Sequence, residues 1–297
     1  MTNWLWVIFT VIAAAAQTAR NAAQRELTAS LGTAGATNVR FLFGIPFGLL
    51  FLIATLLAIG GPLPRPPAVY WPWILLGCLA QTAATGLMLT AMTGRSFVVV
   101  YAFIKTEPIL VALFGFVLLG ETVTLPMAAA IMVATAGVAV MSLRRGVYAN
   151  EFWPTLLGLS AAGLFGLSAI GYRGAIVSLD QSSNLLLAAS YSVVIGLGVQ
   201  AGITSLYLWW ENPRILSAIL RAWRGSLFAG FSGALASQFW LLAFATATAA
   251  SVRTLALVEV LFAQAISTFI FRQPTTSREL VGIVLIVAGV LLLLWAY

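Results

Sequence analysis

Long apolar runs recur from one end of this 297-residue sequence to the other, and they constrain its fold more than any other feature. A helix needs about 20 apolar residues to cross about 30 Å of hydrocarbon. Of the residues, 61% are hydrophobic and only 8% are charged, which is too little charge to cover a soluble domain of this size. We therefore predict an all-α membrane protein that crosses the bilayer many times.

Ten transmembrane helices are predicted from the apolar runs and the glycine, proline and polar breaks between them. They cover residues 3–23, 34–57, 71–92, 97–119, 124–143, 152–172, 185–209, 226–246, 251–271 and 276–296. Between the seventh and eighth spans, residues 214–224 place apolar side chains on one helical face with arginines beside them. This pattern indicates a short interfacial amphipathic helix, and an ordinary basic loop is the alternative.

The two halves of the sequence match at a fixed offset of 152 residues (259 − 107), the sign of an internal repeat. The matching pairs are Glu107 with Glu259, Gly44 with Gly196, and Gly137 with Gly289. We divide the chain into residues 1–146 and 147–297, each with five spans. Because five is odd, the second half begins on the opposite side of the membrane. The halves are then inverted repeats, an arrangement typical of secondary transporters.

The distribution of arginines over the connecting loops predicts the orientation of the chain in the membrane. The face that holds both termini carries mainly Arg65 and Arg173. The other face carries Arg25, Arg95, Arg144, Arg145, Arg214, Arg221, Arg224, Arg272 and Arg278. Positive residues favour the cytoplasmic side, so both termini are predicted to lie outside the cell membrane.

Composition also excludes several classes of function. The net charge is +7, but the arginines are scattered through short loops, so membrane topology and anionic headgroups explain them better than nucleic acid does. The sequence has no histidine and one cysteine, Cys78, which excludes histidine general bases, an internal disulfide and a cysteine metal site. Ser168 in the sixth span has no histidine to activate it as a nucleophile. We predict no enzymatic activity, no cofactor and no metal.

A motif at the end of the first half resembles a known family. Glu107 and Pro108 lie within the fourth span, Gly120 and Glu121 end it, and Gly137 lies in the fifth. A proline within the fourth helix, a Gly-Glu at its end and glycines in the fifth helix resemble the EamA module of the drug/metabolite transporter superfamily. The resemblance extends over nearly the whole chain as two tandem modules.

The second module departs from this pattern. It has Val260 where the first has Pro108, and Arg272 and Gln273 where the first has Gly-Glu. It keeps Gly282, whose counterpart in the first half is an alanine, and Gly289. The architecture is expected to persist although the second half matches less well.

The resemblance implies a ten-helix carrier with a central cavity that opens alternately to either side of a bacterial inner membrane. Within the superfamily the chain is similar to amino-acid exporters of the YddG type. We expect a secondary transporter that exports small metabolites, foremost amino acids including aromatic ones, with protons as the coupling ion and as a monomer or weak homodimer. Export of drugs, nucleosides or sugars, and a passive channel-like conduit, are the alternatives.

Two glutamates are predicted near the middle of the bilayer. Glu107 lies about 15 Å into the fourth span and Glu259 about 12 Å into the ninth, at 1.5 Å per residue. Ionisable groups at this depth usually serve function. We predict substrate binding or proton coupling for them, with pairing to buried arginines as the alternative. Pro108, directly after Glu107, removes a backbone hydrogen bond and opens the helix, which favours a structural role there.

The basic residues of the spans raise a similar choice. Lys105 lies two residues before Glu107, and such positions point about 200° apart on a regular helix, so the two are expected on different faces. Arg253 is expected to extend toward the membrane interface. Arg40 is expected to form an internal pair or to contact substrate.

Neutral polar side chains in the spans are predicted to line the cavity, since a pocket for amphipathic solutes needs a few polar groups among apolar and aromatic walls. Hydrogen bonding between helices is the alternative for each. The predicted substrate-binding residues are Gln17, Asn21, Gln81, Thr85, Tyr101, Lys105, Glu107, Tyr191, Ser237, Gln238, Trp240 and Glu259.

Glycines and prolines at equivalent places of the two halves are predicted to be bend points. Gly44 and Pro46 lie in the second span, and Gly196 and Gly198 lie in the seventh. Together with Pro108 they are expected to let the halves rock. Close helix packing through small residues is the alternative.

Overall fold

The structure is a computed structural model that describes residues 4–60, 62–92, 103–142, 152–179, 184–269 and 276–297. Within these ranges the regular secondary structure is helical throughout, which confirms the predicted all-α fold. In chain order the helices are α1 (Leu5–Leu42), α2 (Ile45–Ile59), α3 (Tyr70–Met92), α4 (Glu107–Phe114), α5 (Leu125–Ser142), α6 (Phe152–Ser178), α7 (Leu185–Glu211), α8 (Pro213–Arg221), α9 (Trp223–Thr246), α10 (Ala249–Leu255), α11 (Val258–Phe269) and α12 (Ser277–Ala296).

Among the described residues, six helical stretches are long and apolar enough to cross a membrane, and two shorter apolar stretches accompany them. The six are Leu5–Ile59, Tyr70–Thr90, Leu156–Ser178, Leu185–Glu211, Trp223–Thr246 and Ser277–Ala296, and the shorter two are Glu107–Leu119 and Leu125–Met141. The predicted spans fall on these stretches and on α10 with α11. Parts of the first, fourth, fifth and ninth spans lie outside the described residues.

The stretch Leu5–Ile59 contains the first two predicted spans. Its 55 residues would extend about 80 Å as one straight helix, far more than the hydrocarbon is thick. Gly32 interrupts it with φ 68° and ψ 175°, a conformation that only glycine adopts without strain. The chain therefore turns back at Gly32, between the two predicted spans.

The segment between the seventh and eighth spans is a helix, so the alternative of an ordinary basic loop is wrong. The side chain of Asn212 accepts a hydrogen bond from the backbone N–H of Arg214 and caps α8 at its first turn. Ile219 is fully buried, whereas Leu220 is exposed although it was predicted on the same apolar face. Only part of that face is covered by protein, which fits a helix lying at the bundle surface.

Helix packing follows a pattern in which the two halves exchange roles. α1 packs against α9, and α3 packs against α6. α5 packs against α12, α2 against α7, and α4 against α10. When each helix is replaced by its equivalent in the other predicted half, the α1–α9 pair becomes the α6–α3 pair. Each of the other three pairs joins a predicted span to its own equivalent, so these pairs stay the same. A two-fold relation between the halves requires this pattern, while the domain boundary at residue 146 stays a prediction.

Glycines bring the backbones of α5 and α12 into direct contact. A Cβ atom on Gly137 would lie 2.8 Å from the carbonyl oxygen of Gly282 and 2.8 Å from the backbone nitrogen of Ile286. A Cβ atom on Gly289 would lie 2.6 Å from the backbone nitrogen of Ala134. Both positions therefore exclude any side chain. We call this contact, formed by Gly137, Gly282 and Gly289, the glycine seam.

The two ends of the chain meet at one end of the bundle. The rings of Trp6 and Tyr297 lie 4.8 Å apart between centroids, and the hydroxyl of Tyr297 donates to the carbonyl of Thr246 at the end of α9. Termini at the same end are what an even number of crossings requires. Which side of the membrane this end faces stays a prediction.

Candidate functional site

A cavity lies between the two halves, walled by α1, α3, α6, α7, α9 and α10. Pockets for small molecules combine apolar and aromatic walls with a few polar groups. Four aromatic residues, Phe165, Tyr172, Trp240 and Phe244, belong to the wall, and Gln81 and Ser237 are among its polar members. The cavity therefore has the mixed lining expected for a small amphipathic solute.

Four of the predicted binding residues lie in this wall: Gln17, Gln81, Ser237 and Trp240. The amide of Gln17 joins the two halves, because its Nε2 donates to Glu259 at 2.9 Å and its Oε1 accepts from Trp240 Nε1 at 3.2 Å. Gln17 is thus placed both at the cavity and beside a buried carboxylate.

A second, smaller pocket of about 220 Å³ adjoins the cavity. It shares Gln17 and Arg253 with the cavity wall. Lys105, Glu107 and Glu259, all predicted binding residues, line it as well. The two pockets therefore bring the predicted acidic and amide residues to one region of the bundle.

Two ion pairs cross this region. The guanidinium of Arg253 donates from Nε and Nη2 to the two carboxylate oxygens of Glu107, each at 2.6 Å. Lys105 pairs with Glu259. Each pair joins one half to the other, and all four side chains are largely buried. We call these four residues the charged seam. Removing one partner of a buried pair is expensive, because it leaves the other charge uncompensated.

The expectation that Lys105 and Glu107 occupy different faces is wrong. Phe103 and Ile104 are helical, but Lys105 and Thr106 form a turn in which Thr106 N–H bonds to the carbonyl of Phe103, and α4 begins after it at Glu107. The angle of 200° between the two residues holds only on a continuous helix. The turn lets both side chains reach the smaller pocket.

The second half contains a break at a nearby position. Ala256 and Leu257 separate α10 from α11, and Leu257 N–H bonds to the carbonyl of Thr254. Adding the offset of 152 to Lys105 gives Leu257, so the two breaks nearly coincide in the repeat. Both ion pairs are formed beside these breaks.

The expectation that Arg253 extends to the membrane interface is also wrong. Its side chain is only 12% exposed, and its guanidinium carbon lies 4.7 Å from the centre of the Trp240 ring. The carboxylate of Glu107 and the aromatic face offer it better partners than the distant interface. Arg40, by contrast, is internal as expected, and it donates to the hydroxyl of Thr85 at 3.1 Å.

The other predicted binding residues make contacts within the protein. Asn21 accepts from the guanidinium of Arg20, and Thr85 accepts from Arg40. Gln238 donates to Ser190 at 3.0 Å, away from the cavity wall. Tyr191 is half-buried with its ring centroid 6.4 Å from that of Tyr70. Tyr101 lies outside the described residues.

The predicted bend points differ between the halves. Gly44 separates α1 from α2, and Pro46 occupies the first turn of α2. Pro108 occupies the first turn of α4. α7 runs unbroken through Gly196 and Gly198. Irregular backbone at the equivalent glycines is therefore present in the first half alone.

Comparison with known proteins identifies a family to which the first half of the chain is similar. Residues 4–143 match the EamA-like transporter family, nearly the whole of the predicted first half. Over these residues the chain is an EamA-like transporter module. The predicted resemblance to that family is confirmed, while the similarity to YddG-type exporters stays a prediction. No curated protein sequence gives a significant match.

A solved structure described as "Crystal structure of protein" shares the fold of this transporter over both halves. The alignment covers 100% of this chain and 99% of the other, with a TM-score of 0.69 and 16% sequence identity. At this identity the likeness concerns the fold alone. It shows that the fold of the whole chain, including the half that the family match does not cover, also occurs in that structure.

The Gly-Glu motif of the transporter joins the halves at the end of the bundle where the termini lie. Arg173 Nε donates to Glu121 Oε1 at 2.8 Å, and Glu121 Oε2 accepts from the backbone N–H of Ala249 at 3.1 Å. Arg173 also donates to the carbonyl of Phe244. Gly120, with φ 66°, turns the chain so that Glu121 can reach these groups. Because Phe244 belongs to the cavity wall, this cluster borders the cavity.

Sequence reasoning missed several polar residues of the cavity wall, among them Arg20, Tyr172 and Gln200. Tyr172 and Gln200 both donate to Gln81 Oε1 at 3.0 Å, and nothing in their sequence context indicates this. Arg20 was detectable, because it lies three residues after Gln17 on the same helical face. It is also an ionisable residue within an apolar span, which indicates function.

Proposed function

We propose that this transporter moves small metabolites by alternating access, with the central cavity as its substrate site. The observation that carries the proposal is the position of that cavity between two halves that are joined by separate contacts on several sides. A site between two bodies can open to either side when the bodies rock. We also propose that residues 1–146 and 147–297 are the two bodies and that they have inverted orientations in the membrane.

The contacts between the halves suggest which parts move. The glycine seam is a close backbone contact that involves no polar side chain, and it suits a fixed joint. The Glu121–Arg173 cluster depends on a few polar contacts at one end of the bundle, and it can break and reform at modest cost. We propose that this cluster closes the cavity on the side of the termini.

The substrates proposed first are amino acids, including aromatic ones, exported across a bacterial inner membrane. Support comes from the four aromatic wall residues and from polar groups such as Gln81 and Ser237 among them. Drugs, nucleosides and sugars are the alternative substrates. Protons are the proposed coupling ion, because ionisable residues within membrane spans, such as those of the charged seam, commonly mark proton and ion pathways.

Counterflow in proteoliposomes tests the transport mechanism. Vesicles loaded with unlabelled phenylalanine are diluted into labelled phenylalanine, and a carrier should accumulate label transiently. A panel of amino acids and nucleosides, each measured with and without a pH gradient, tests the substrate class and the coupling ion. Label uptake that is not stimulated by internal substrate would indicate a passive conduit instead.

A reporter tests the orientation. A periplasm-active enzyme fused after Tyr297 should be active, since the arginine distribution places both termini outside. A cytoplasm-active reporter at the same position serves as the matched control. Activity of the cytoplasmic reporter would reverse the proposed topology.

A further inference from the structure

The middle of the bundle holds more buried positive charge than negative charge. The cations are Arg20, Arg40, Lys105 and Arg253, and the carboxylates are Glu107 and Glu259. The charged seam pairs two of these cations with the two carboxylates. Within the described residues no carboxylate pairs with Arg20 or Arg40, so two positive charges remain in excess. Charges in this position are costly without a partner.

Arg20 faces the cavity with most of its hydrogen-bonding capacity unused. Arg20 is 2% exposed to solvent and belongs to the cavity wall. Its Nε and Nη2 share one neutral acceptor, Asn21 Oδ1, at 3.3 and 2.8 Å. A guanidinium has five N–H donors in a plane that matches a carboxylate. Donors of Arg20 are therefore available to a ligand in the cavity.

Arg40 adds a second positive charge close to Arg20. It is 1% exposed, donates to the neutral hydroxyl of Thr85, and lies 4.6 Å from the centre of the Phe41 ring. Both arginines flank Gly233 in α9. A Cβ atom on Gly233 would lie 3.4 Å from Arg20 Cδ and 3.6 Å from Arg40 Cβ. Their potentials consequently add in one part of the bundle.

The wall of the cavity contains no carboxylate among the residues that the structure describes. Its charged members are Arg20 and Arg253. Gln81 adds a donor, because its Oε1 accepts from Tyr172 and Gln200 while its Nε2 donates to no described residue. Glu107 and Glu259 face the smaller pocket, where each already holds a cation.

We propose that the cavity binds organic anions, with the carboxylate of an aromatic or apolar substrate on Arg20 and with Arg40 strengthening the potential behind it. The inference rests on the proposed transport function and puts organic anions ahead of amino acids as the favoured substrate class. A zwitterionic amino acid would place its carboxylate equally well, but its ammonium would find no free carboxylate in the cavity. The site should therefore prefer an aromatic carboxylate with net negative charge over the corresponding amino acid.

Three ligands with the same ring and different charge test this preference. 3-Phenylpropionate, phenylalanine and phenethylamine are titrated by calorimetry into the purified full chain in lipid nanodiscs at pH 7. We expect 3-phenylpropionate to bind at least about tenfold more tightly than phenylalanine, and phenethylamine to bind weakest. Equal or tighter binding of phenylalanine or phenethylamine, or no binding of 3-phenylpropionate, would overturn the proposal.

Variants of Arg20 test the residue. Arg20→Gln should weaken binding of 3-phenylpropionate about tenfold or more, whereas Arg20→Lys should keep the preference for the anion. Arg65→Gln, in an exposed segment, is the control and should bind as the wild type does. Should Arg20→Gln fail to fold, Arg20→Lys and the ligand ranking of the wild type decide the question. Wild-type affinity in a folded Arg20→Gln variant would also contradict the site.

Counterflow with the same three ligands separates this inference from the proposed function. Binding of the anion without trans-stimulation would remove the transport proposal and keep the anion site. Trans-stimulation by all three ligands alike would keep the transporter and overturn the preference for anions.

Discussion

The two halves meet at two seams of opposite character. At the glycine seam, Gly137 and Gly289 occupy equivalent places and each brings the opposite backbone within van der Waals contact. At the charged seam the equivalent Glu107 and Glu259 are present in both halves, but their cations come from different places in the repeat. Lys105 precedes one glutamate by two residues, and Arg253 precedes the other by six.

This difference shows what each kind of contact demands. Where a Cβ atom would lie within 3 Å of the opposite backbone, only glycine fits, so the repeat keeps glycine on both sides. A buried carboxylate needs a cation within reach but sets no single position for it, because Lys and Arg side chains are long. Packing therefore preserves the symmetry of the halves, and charge pairing permits them to diverge.

The largest effect is expected at the glycine seam. Gly137→Leu places a side chain where a single Cβ would already lie 2.8 Å from the carbonyl oxygen of Gly282. We expect a loss of about 3 kcal/mol of stability or more and little folded protein, measured by gel filtration of a fluorescent fusion. Gly198→Leu is the matched control, because nothing lies within 4 Å of its Cβ position. Equal recovery of both variants would mean that this seam is not a rigid joint.

Glu107→Gln should separate transport from folding. It removes the carboxylate that accepts two hydrogen bonds from Arg253, and an arginine cannot lose its charge to compensate. We expect counterflow to fall about tenfold, which corresponds to about 1.4 kcal/mol, while the glycine seam keeps the halves assembled. The paired variant Glu107→Arg with Arg253→Glu should recover part of the activity. Wild-type counterflow in Glu107→Gln would leave the charged seam without a role in transport.

Glu259→Gln should be milder, which would show that the charged seam is asymmetric. Its partner Lys105 can lose its proton when it is left without a counter-charge, unlike Arg253. The glutamine also retains an oxygen that accepts from Gln17. We expect counterflow to fall only about threefold. A greater loss than in Glu107→Gln would reverse the assignment of the stronger pair.

The smallest effect is expected for Pro108→Ala. Proline was expected to open the fourth span, yet the second half breaks next to the equivalent Val260, whose N–H bonds to the carbonyl of Leu257. The break is therefore held by surrounding contacts and should persist without the proline. Counterflow should change less than about twofold, with Val260→Ala as the control. A loss comparable to that of Glu107→Gln would restore the proline as the cause.

Much of the fold was predictable because the hydrocarbon core of a membrane requires long apolar helices wherever the chain crosses it. Apolar runs of the length of the bilayer, separated by breaks, predicted where the described helices lie, and Gly32 falls in a predicted connection. The buried position of Glu107 and Glu259 followed from their depth in those runs. Four polar residues of the cavity wall were found in the same way.

The composition of the site was predicted less well. Arg253 was assigned to the interface and Lys105 to another face, because both assignments assumed continuous, isolated helices. Tyr172 and Gln200 were missed because they act through Gln81 on a different helix. Such partners depend on how distant segments pack, and no local pattern carries that information.

The sequence by itself determined that the chain spans a membrane with apolar helices, that its halves match at a fixed offset, and that two acidic residues lie well inside apolar runs. These properties depend on side-chain hydrophobicity and on helix length, both of which are local. Only the tertiary structure decided which charges meet. Helix breaks at Lys105 and Leu257 let the side chains of the charged seam pair across the boundary between the halves. Arg20, in the cavity wall, and Arg40, close to it, have no carboxylate partner among the described residues. Charge balance in a buried site is a property of the assembled bundle, because it depends on distances between segments that are far apart in the chain.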